Sequence, residues 1–119
     1  MIPDYLYLNS RDNLLRLDIN HIVYFEADGN YTNIISANKI KHTVGMTLAK
    51  MQELLTKTLC EKSVRFVRIG KSHIVCLNYI NKIDIPKQSL ILSDCHSFAF
   101  KVSVSKEALR KLKEMLTNQ

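Results

Sequence analysis

Apolar and polar positions alternate over short distances along most of this chain, the pattern of strands with one face buried in a sheet. Tyr5-Leu6-Tyr7-Leu8 and Leu14-Leu15-Arg16-Leu17 flank the turn-like Asn9-Ser10-Arg11-Asp12-Asn13. His21-Ile22-Val23-Tyr24-Phe25-Glu26 and Tyr31-Thr32-Asn33-Ile34-Ile35 flank Asp28-Gly29-Asn30, and Asp-Gly between β-prone runs signals a hairpin. Asn38 marks a further turn before the alternating Lys39-Ile40-Lys41-His42-Thr43-Val44. The period then changes. Leu48, Met51, Leu54, Leu55 and Leu59 fall at helical spacing behind Thr47, a residue suited to an N-cap, which predicts a helix over residues 47–59. Strand texture returns in Arg65-Phe66-Val67-Arg68-Ile69, His73-Ile74-Val75-Cys76-Leu77, Tyr79-Ile80, Ile83-Asp84-Ile85, Leu90-Ile91-Leu92 and Phe98-Ala99-Phe100-Lys101-Val102, with Pro86 fitting a strand end or edge. Ser105 can cap a last helix that carries Glu107 in its first turn and Leu109, Leu112 and Leu116 as its buried stripe. The order is five strands, a helix, about five strands and a helix. Successive strands lie too close for βαβ crossovers, so a mainly β fold with antiparallel pairing is expected.

The chain has 119 residues, enough for one core, and a single domain over residues 1–119 is expected. No apolar run reaches the length of a membrane span, and Met1-Ile2-Pro3-Asp4-Tyr5 lacks the basic and apolar regions of a signal peptide; a cytoplasmic location with no membrane partner follows. Cys60, Cys76 and Cys95 are odd in number and widely spaced, so buried, reduced thiols are expected rather than disulfides.

Charge changes the picture. The formal net charge is +6, but residues 1–61 hold 6 basic and 7 acidic side chains while residues 62–119 hold 11 and 4. That asymmetry suits a polyanion approached by the C-terminal half, and composition leaves open that the lysines only keep the protein in solution.

No enzyme constellation assembles. Gly-x-Gly-x-x-Gly, phosphate-loop and Gly-x-Ser-x-Gly motifs are absent. His73 and Cys76 point to opposite faces if their run is a strand, and Cys95-His96 stands alone, so neither metal nor cofactor is expected. Glu26, Asp28, Asp84 and Asp94 read as solvated turn or surface carboxylates rather than an acid–base pair.

Three polar segments carry the remaining chemistry. Arg65-Phe66-Val67-Arg68-Ile69-Gly70-Lys71-Ser72-His73 has three basic residues and no acid, with Gly70 allowing a tight loop that presents Lys71 and Ser72. Gly29-Asn30-Tyr31-Thr32-Asn33 offers side chains able to bond base edges, although Asn30 alone reads more simply as a residue tolerating a left-handed backbone. Ser103, Ser105 and Lys106 precede a helix bearing Arg110, Lys111 and Lys113, an arrangement suited either to phosphate or to an ordinary capped, solvated helix.

These segments together resemble a known family. Ile22-Val23-Tyr24-Phe25-Glu26-Ala27-Asp28-Gly29-Asn30-Tyr31 is similar to the opening hairpin of the LytTR domain, and Met46-Thr47-Leu48 to the start of its first helix. Arg65 through Val75 is similar to its central signature, Asn78-Tyr79-Ile80 follows as in the family, and Val102-Ser103-Val104-Ser105-Lys106 resembles its approach to the last helix. The resemblance implies an elongated antiparallel β-sheet domain that binds double-stranded DNA in bacterial transcription regulators related to response regulators. Loops of such domains enter neighbouring major grooves, often as pairs on direct repeats. Asn30, Tyr31, Thr32, Asn33, Arg68, Lys71, Ser72, Ser105 and Lys106 are the DNA-facing positions it implies.

The chain also departs from the family. A His-Arg pair is usual before Ser72, where Gly70-Lys71 stands here, and the usual Tyr and Asn are His73 and Cys76. A protein-interaction module that kept the scaffold and lost base reading is therefore the competing expectation. Most relatives carry an N-terminal receiver domain; none is present in this sequence, which implies a stand-alone regulator or an excised domain, with a receiver or sensor partner elsewhere.

Overall fold

A computed structural model describes residues 4–118; most of the N-terminal segment read above for a signal peptide lies outside them. Ten strands and two α-helices are present among these residues, and every strand pairing is antiparallel. The fold is mainly β and extends 44 × 33 × 28 Å.

The centre is a five-stranded sheet. It is built from β3 (Ile22–Asp28), β4 (Tyr31–Ser36), β5 (Lys41–Val44), β6 (Phe66–Ile69) and β7 (His73–Cys76) in the order β5-β4-β3-β7-β6. Both of its faces are covered, which explains why the β7 run reads as continuously apolar rather than alternating. One face, with Phe25, Ile34, Phe66 and Ile74, packs against the hairpin of β1 (Tyr5–Asn9) and β2 (Leu14–Asp18) and helix α1 (Leu48–Leu59). The other, with Val23, Ile69 and Val75, packs against β8 (Ile80–Asp84), β9 (Ser89–Ser93), β10 (Ala99–Ser103) and helix α2 (Lys106–Thr117). A register shift between Ile22 and Tyr24 lets the consecutive Val23 and Tyr24 both face the α2 side, as a bulge does.

Local signals explain the helices. Thr47 accepts from the Lys50 N–H at 3.3 Å, and Leu48, Met51, Leu55 and Leu59 are buried at helical spacing. Ser105 accepts from the Ala108 N–H at 3.2 Å, and Leu109 and Leu112 are buried, with Leu116 partly so.

Three local expectations need correction. Ile80 and Ile83-Asp84, read as parts of two runs, belong to one strand, β8, because both meet β9; Tyr79 closes the short turn before it and Ile85 lies in the turn after it. Of the three free cysteines only Cys76 is buried; Cys60 and Cys95 are exposed where the chain reverses at φ +51° and +66°. The left-handed position of the β3–β4 turn is Gly29, at φ +61°, and not Asn30.

Candidate nucleic-acid interface

Antiparallel register brings three connections to one end of the central sheet. β3 runs toward the Gly29-Asn30 turn and pairs Glu26 with His73, the first residue of β7. The Ala27 N–H then donates to the Ser72 carbonyl at 2.8 Å, which ties that hairpin to the Gly70-Lys71-Ser72 loop. On the other side of the loop stands the start of α2. Lys71, Ser72 and His73 on one wall, and Ser103, Ser105 and Lys111 on the other, enclose a cleft of about 440 Å³. A larger cleft of about 700 Å³, between the β1–β2 hairpin, β5 and α1, is lined by none of the nine residues singled out from the sequence.

Those nine residues fall into two groups. Asn30, Tyr31, Lys71, Ser72, Ser105 and Lys106 are exposed. Tyr31 keeps 55% of its surface open at the hairpin, too large a fraction for a core aromatic. Ser72 and Ser105 both line the cleft, whereas Lys106 lies on the first turn of α2 outside its lining.

Thr32, Asn33 and Arg68 are engaged within the protein. Thr32 is fully buried and its hydroxyl donates to the Met46 carbonyl at 2.8 Å. Asn33 is buried as well: its Oδ1 accepts from the Thr43 hydroxyl at 2.6 Å, and its Nδ2 lies 3.5 Å from Glu26 Oε1. Arg68 Nη1 donates to Gln52 Oε1 on α1 at 3.1 Å, and Nη2 donates to the Lys71 carbonyl at 2.9 Å.

A polar row that no sequence spacing revealed crosses four strands behind the loops. It runs from Thr43 on β5 through Asn33 on β4 and Glu26 on β3 to His73 on β7, whose Nε2 stands 3.7 Å from Glu26 Oε2. Burial holds the His73 imidazole below its ordinary pKa, with Glu26 opposing the shift. Lys111, whose segment reads in sequence as suited either to phosphate or to a solvated helix face, lines the cleft, with Nζ 3.5 Å from Glu107 Oε1.

The remaining reactive groups have local explanations. Burial pushes the Cys76 thiol up, which suppresses its thiolate. Asp94 is held well below the usual carboxylate range by the Ser97 hydroxyl and the N–H groups of His96, Ser97 and Phe98, so it closes the β9–β10 turn. Among the described residues no three His, Cys, Asp or Glu side chains come together as a metal site, and no helix is long and apolar enough to cross a membrane.

Comparison with known proteins gives a consistent result. The LytTr DNA-binding domain family matches residues 12–117. The chain is similar to two proteins of Paraburkholderia xenovorans (strain LB400), the heme-containing CO-sensing transcriptional regulators RcoM 1 and RcoM 2. It is 29% identical to the first over 109 residues and 30% identical to the second over 114. These alignments take in 89% and 93% of the chain but only 37% and 38% of the relatives, so it spans well under half their length. Its fold is similar to the LytTr DNA-binding domain of a methyl-accepting/DNA response regulator from Bacillus cereus, with a TM-score of 0.66 and 21% identity over 97% of this chain and 98% of that one.

Proposed function

Because this chain belongs to the LytTR family of DNA-binding domains, we propose that it binds double-stranded DNA sequence-specifically as a bacterial transcription regulator in the cytoplasm, residues 1–119 acting as one domain. The observation that carries this reading is the convergence of the Asn30-Tyr31 turn, the Lys71-Ser72 loop and the Ser105-Lys106 junction at one end of the central sheet. Asn30 and Tyr31 reach base edges, while Lys71, Ser72, Ser105 and Lys106 meet phosphate. Thr32 and Asn33 contribute by fixing the hairpin that presents their neighbours. The loops read adjacent grooves, and two copies sit side by side on a directly repeated promoter site. A receiver or sensor protein supplies the regulatory input; no step of this role requires catalysis.

Selection of bound sequences from a random duplex pool tests the proposal. The selected duplex is then titrated against a scrambled one at two salt concentrations. Preference for the selected duplex by about 10³-fold or more, with affinity falling steeply as salt rises, is the expected result. Equal and weak binding to both would favour the competing reading, a protein-interaction module. The observation behind that reading is Gly70, which places no side chain at the central loop and adopts φ +60°.

A further inference from the structure

Arg68 does not present its guanidinium as a free end. Its side chain leaves β6 on the face that carries α1, where the two terminal nitrogens bridge Gln52 Oε1 and the Lys71 carbonyl. The Nε is buried and has no hydrogen-bond partner. The next carbonyl along the loop, that of Ser72, accepts from Ala27. Two consecutive carbonyls of the Gly70-Lys71-Ser72 loop are therefore held by different elements, one by α1 through Arg68 and the other by β3. Lys71 and Ser72 themselves remain exposed.

We infer that Gln52 and Arg68 form a positioning brace for the Lys71-Ser72 loop, with Arg68 acting through the loop backbone rather than by touching DNA. The inference rests on the DNA-binding reading above and adds two residues to it, one of them on a helix remote in sequence from the loops. A guanidinium is suited to the task because its planar fork can serve two acceptors at once; a lysine ammonium at the same place is a single point on a flexible stem. Gln52 is neutral and exposed, so its loss changes neither the charge facing a phosphate nor the core. What it changes is the freedom of Arg68 and, through Arg68, of the loop, which then has to be ordered at the moment of binding.

The test compares wild type with Gln52→Ala, Gln52→Glu, Arg68→Lys and the double variant Gln52→Ala/Arg68→Lys, all as the full chain. Affinity for the selected duplex, its dependence on salt and hydrogen exchange of the Ala27 amide are measured. Gln52→Ala is expected to weaken binding about three- to tenfold, the size of one ordinary hydrogen bond's net contribution, with the salt slope unchanged and Ala27 exchanging faster. Gln52→Glu keeps an acceptor for Arg68 and should restore Ala27 protection. Arg68→Lys should match Gln52→Ala, and the double variant should be no worse than either single one, because all three break one bridge. Wild-type affinity in Gln52→Ala, or losses that add fully in the double variant, overturns the brace; the latter would mean that Arg68 touches DNA on its own account. Failure of the DNA-binding reading is seen separately, as a wild type that prefers no duplex, and Ala27 exchange in the variants still decides whether the bridge holds the loop.

Discussion

A β-carbon built on Gly70 would stand 3.7 Å from the β-carbon of Ala108, an ordinary van der Waals separation, while Gly70 itself adopts φ +60°. The space between the central loop and α2 thus admits a β-carbon, and it is the backbone that resists one. Gly70→Ala is expected to destabilise the fold by about 1–2 kcal/mol, the cost of placing an L side chain in the left-handed region. Gly70→Asn should cost less, because its short polar side chain tolerates that region. Urea midpoints at constant m-value measure both. A ranking that follows side-chain volume instead would show that Ala108 sets the limit.

Lys71 is exposed on the cleft wall, and its side chain has no salt-bridge partner among the described residues. Lys71→Ala is expected to weaken selected and scrambled duplexes by a similar factor and to reduce the slope of log K against log salt by about 1, the signature of one lost phosphate contact. A loss confined to the selected duplex would place Lys71 on a base edge.

Ser105 combines two roles that substitutions can separate. Its side chain caps α2 by accepting from the Ala108 N–H, and it lines the cleft opposite Ser72. Ser105→Ala should cost about 1 kcal/mol of stability through the lost cap. Ser105→Asp keeps a capping acceptor and adds a charge that favours the helix N-terminus but repels phosphate. Stability close to wild type with DNA affinity reduced about tenfold or more is therefore expected for the aspartate, by analogy with a lost charge-assisted contact. Thermal melts and duplex titrations on the same sample check the pair, and an aspartate variant that binds DNA as wild type does would remove Ser105 from the interface.

Local patterns were the legible part of this molecule. The period of Leu48, Met51, Leu55 and Leu59 behind Thr47, and the Asp28-Gly29 turn between β-prone runs, lie within one element each, and both recur in the structure. Side-chain commitments across elements were not legible. Thr32 and Asn33 read as base-facing because they are polar and follow a turn, yet the partners of their polar groups, Met46 and Thr43, are set by the pairing of β4 with β5. Arg68 was expected to face DNA, and nothing in its own segment hints at Gln52, which reaches it only once α1 covers the sheet. The cysteines misled for a different reason. Thiols are usually buried, but at Cys60 and Cys95 a positive φ marks a chain reversal at the surface.

His73 makes stability depend on pH in a direction that the geometry fixes. The imidazole leaves only 12% of its side chain exposed, packs near Tyr24 and faces Glu26. Its folded pKa lies below the ordinary value, first because burial disfavours the charged ring, and Glu26 only partly offsets this. As pH falls, the unfolded chain therefore takes up its proton first, near the ordinary histidine pKa of about 6.5. The native state follows at lower pH. The contribution of neutral His73 is fully present above that value and is lost as pH falls from there toward the folded pKa. Urea midpoints of wild type should accordingly drop as pH falls through about 6.5 and below, and His73→Asn, which cannot titrate, should show a shallower drop over the same range. Using the difference between the two proteins cancels the other histidines, His21, His42 and His96. Parallel profiles would mean that the Glu26 carboxylate compensates burial in full, and a wild type that gains stability on acidification relative to the variant would mean that the His73–Glu26 ion pair outweighs desolvation.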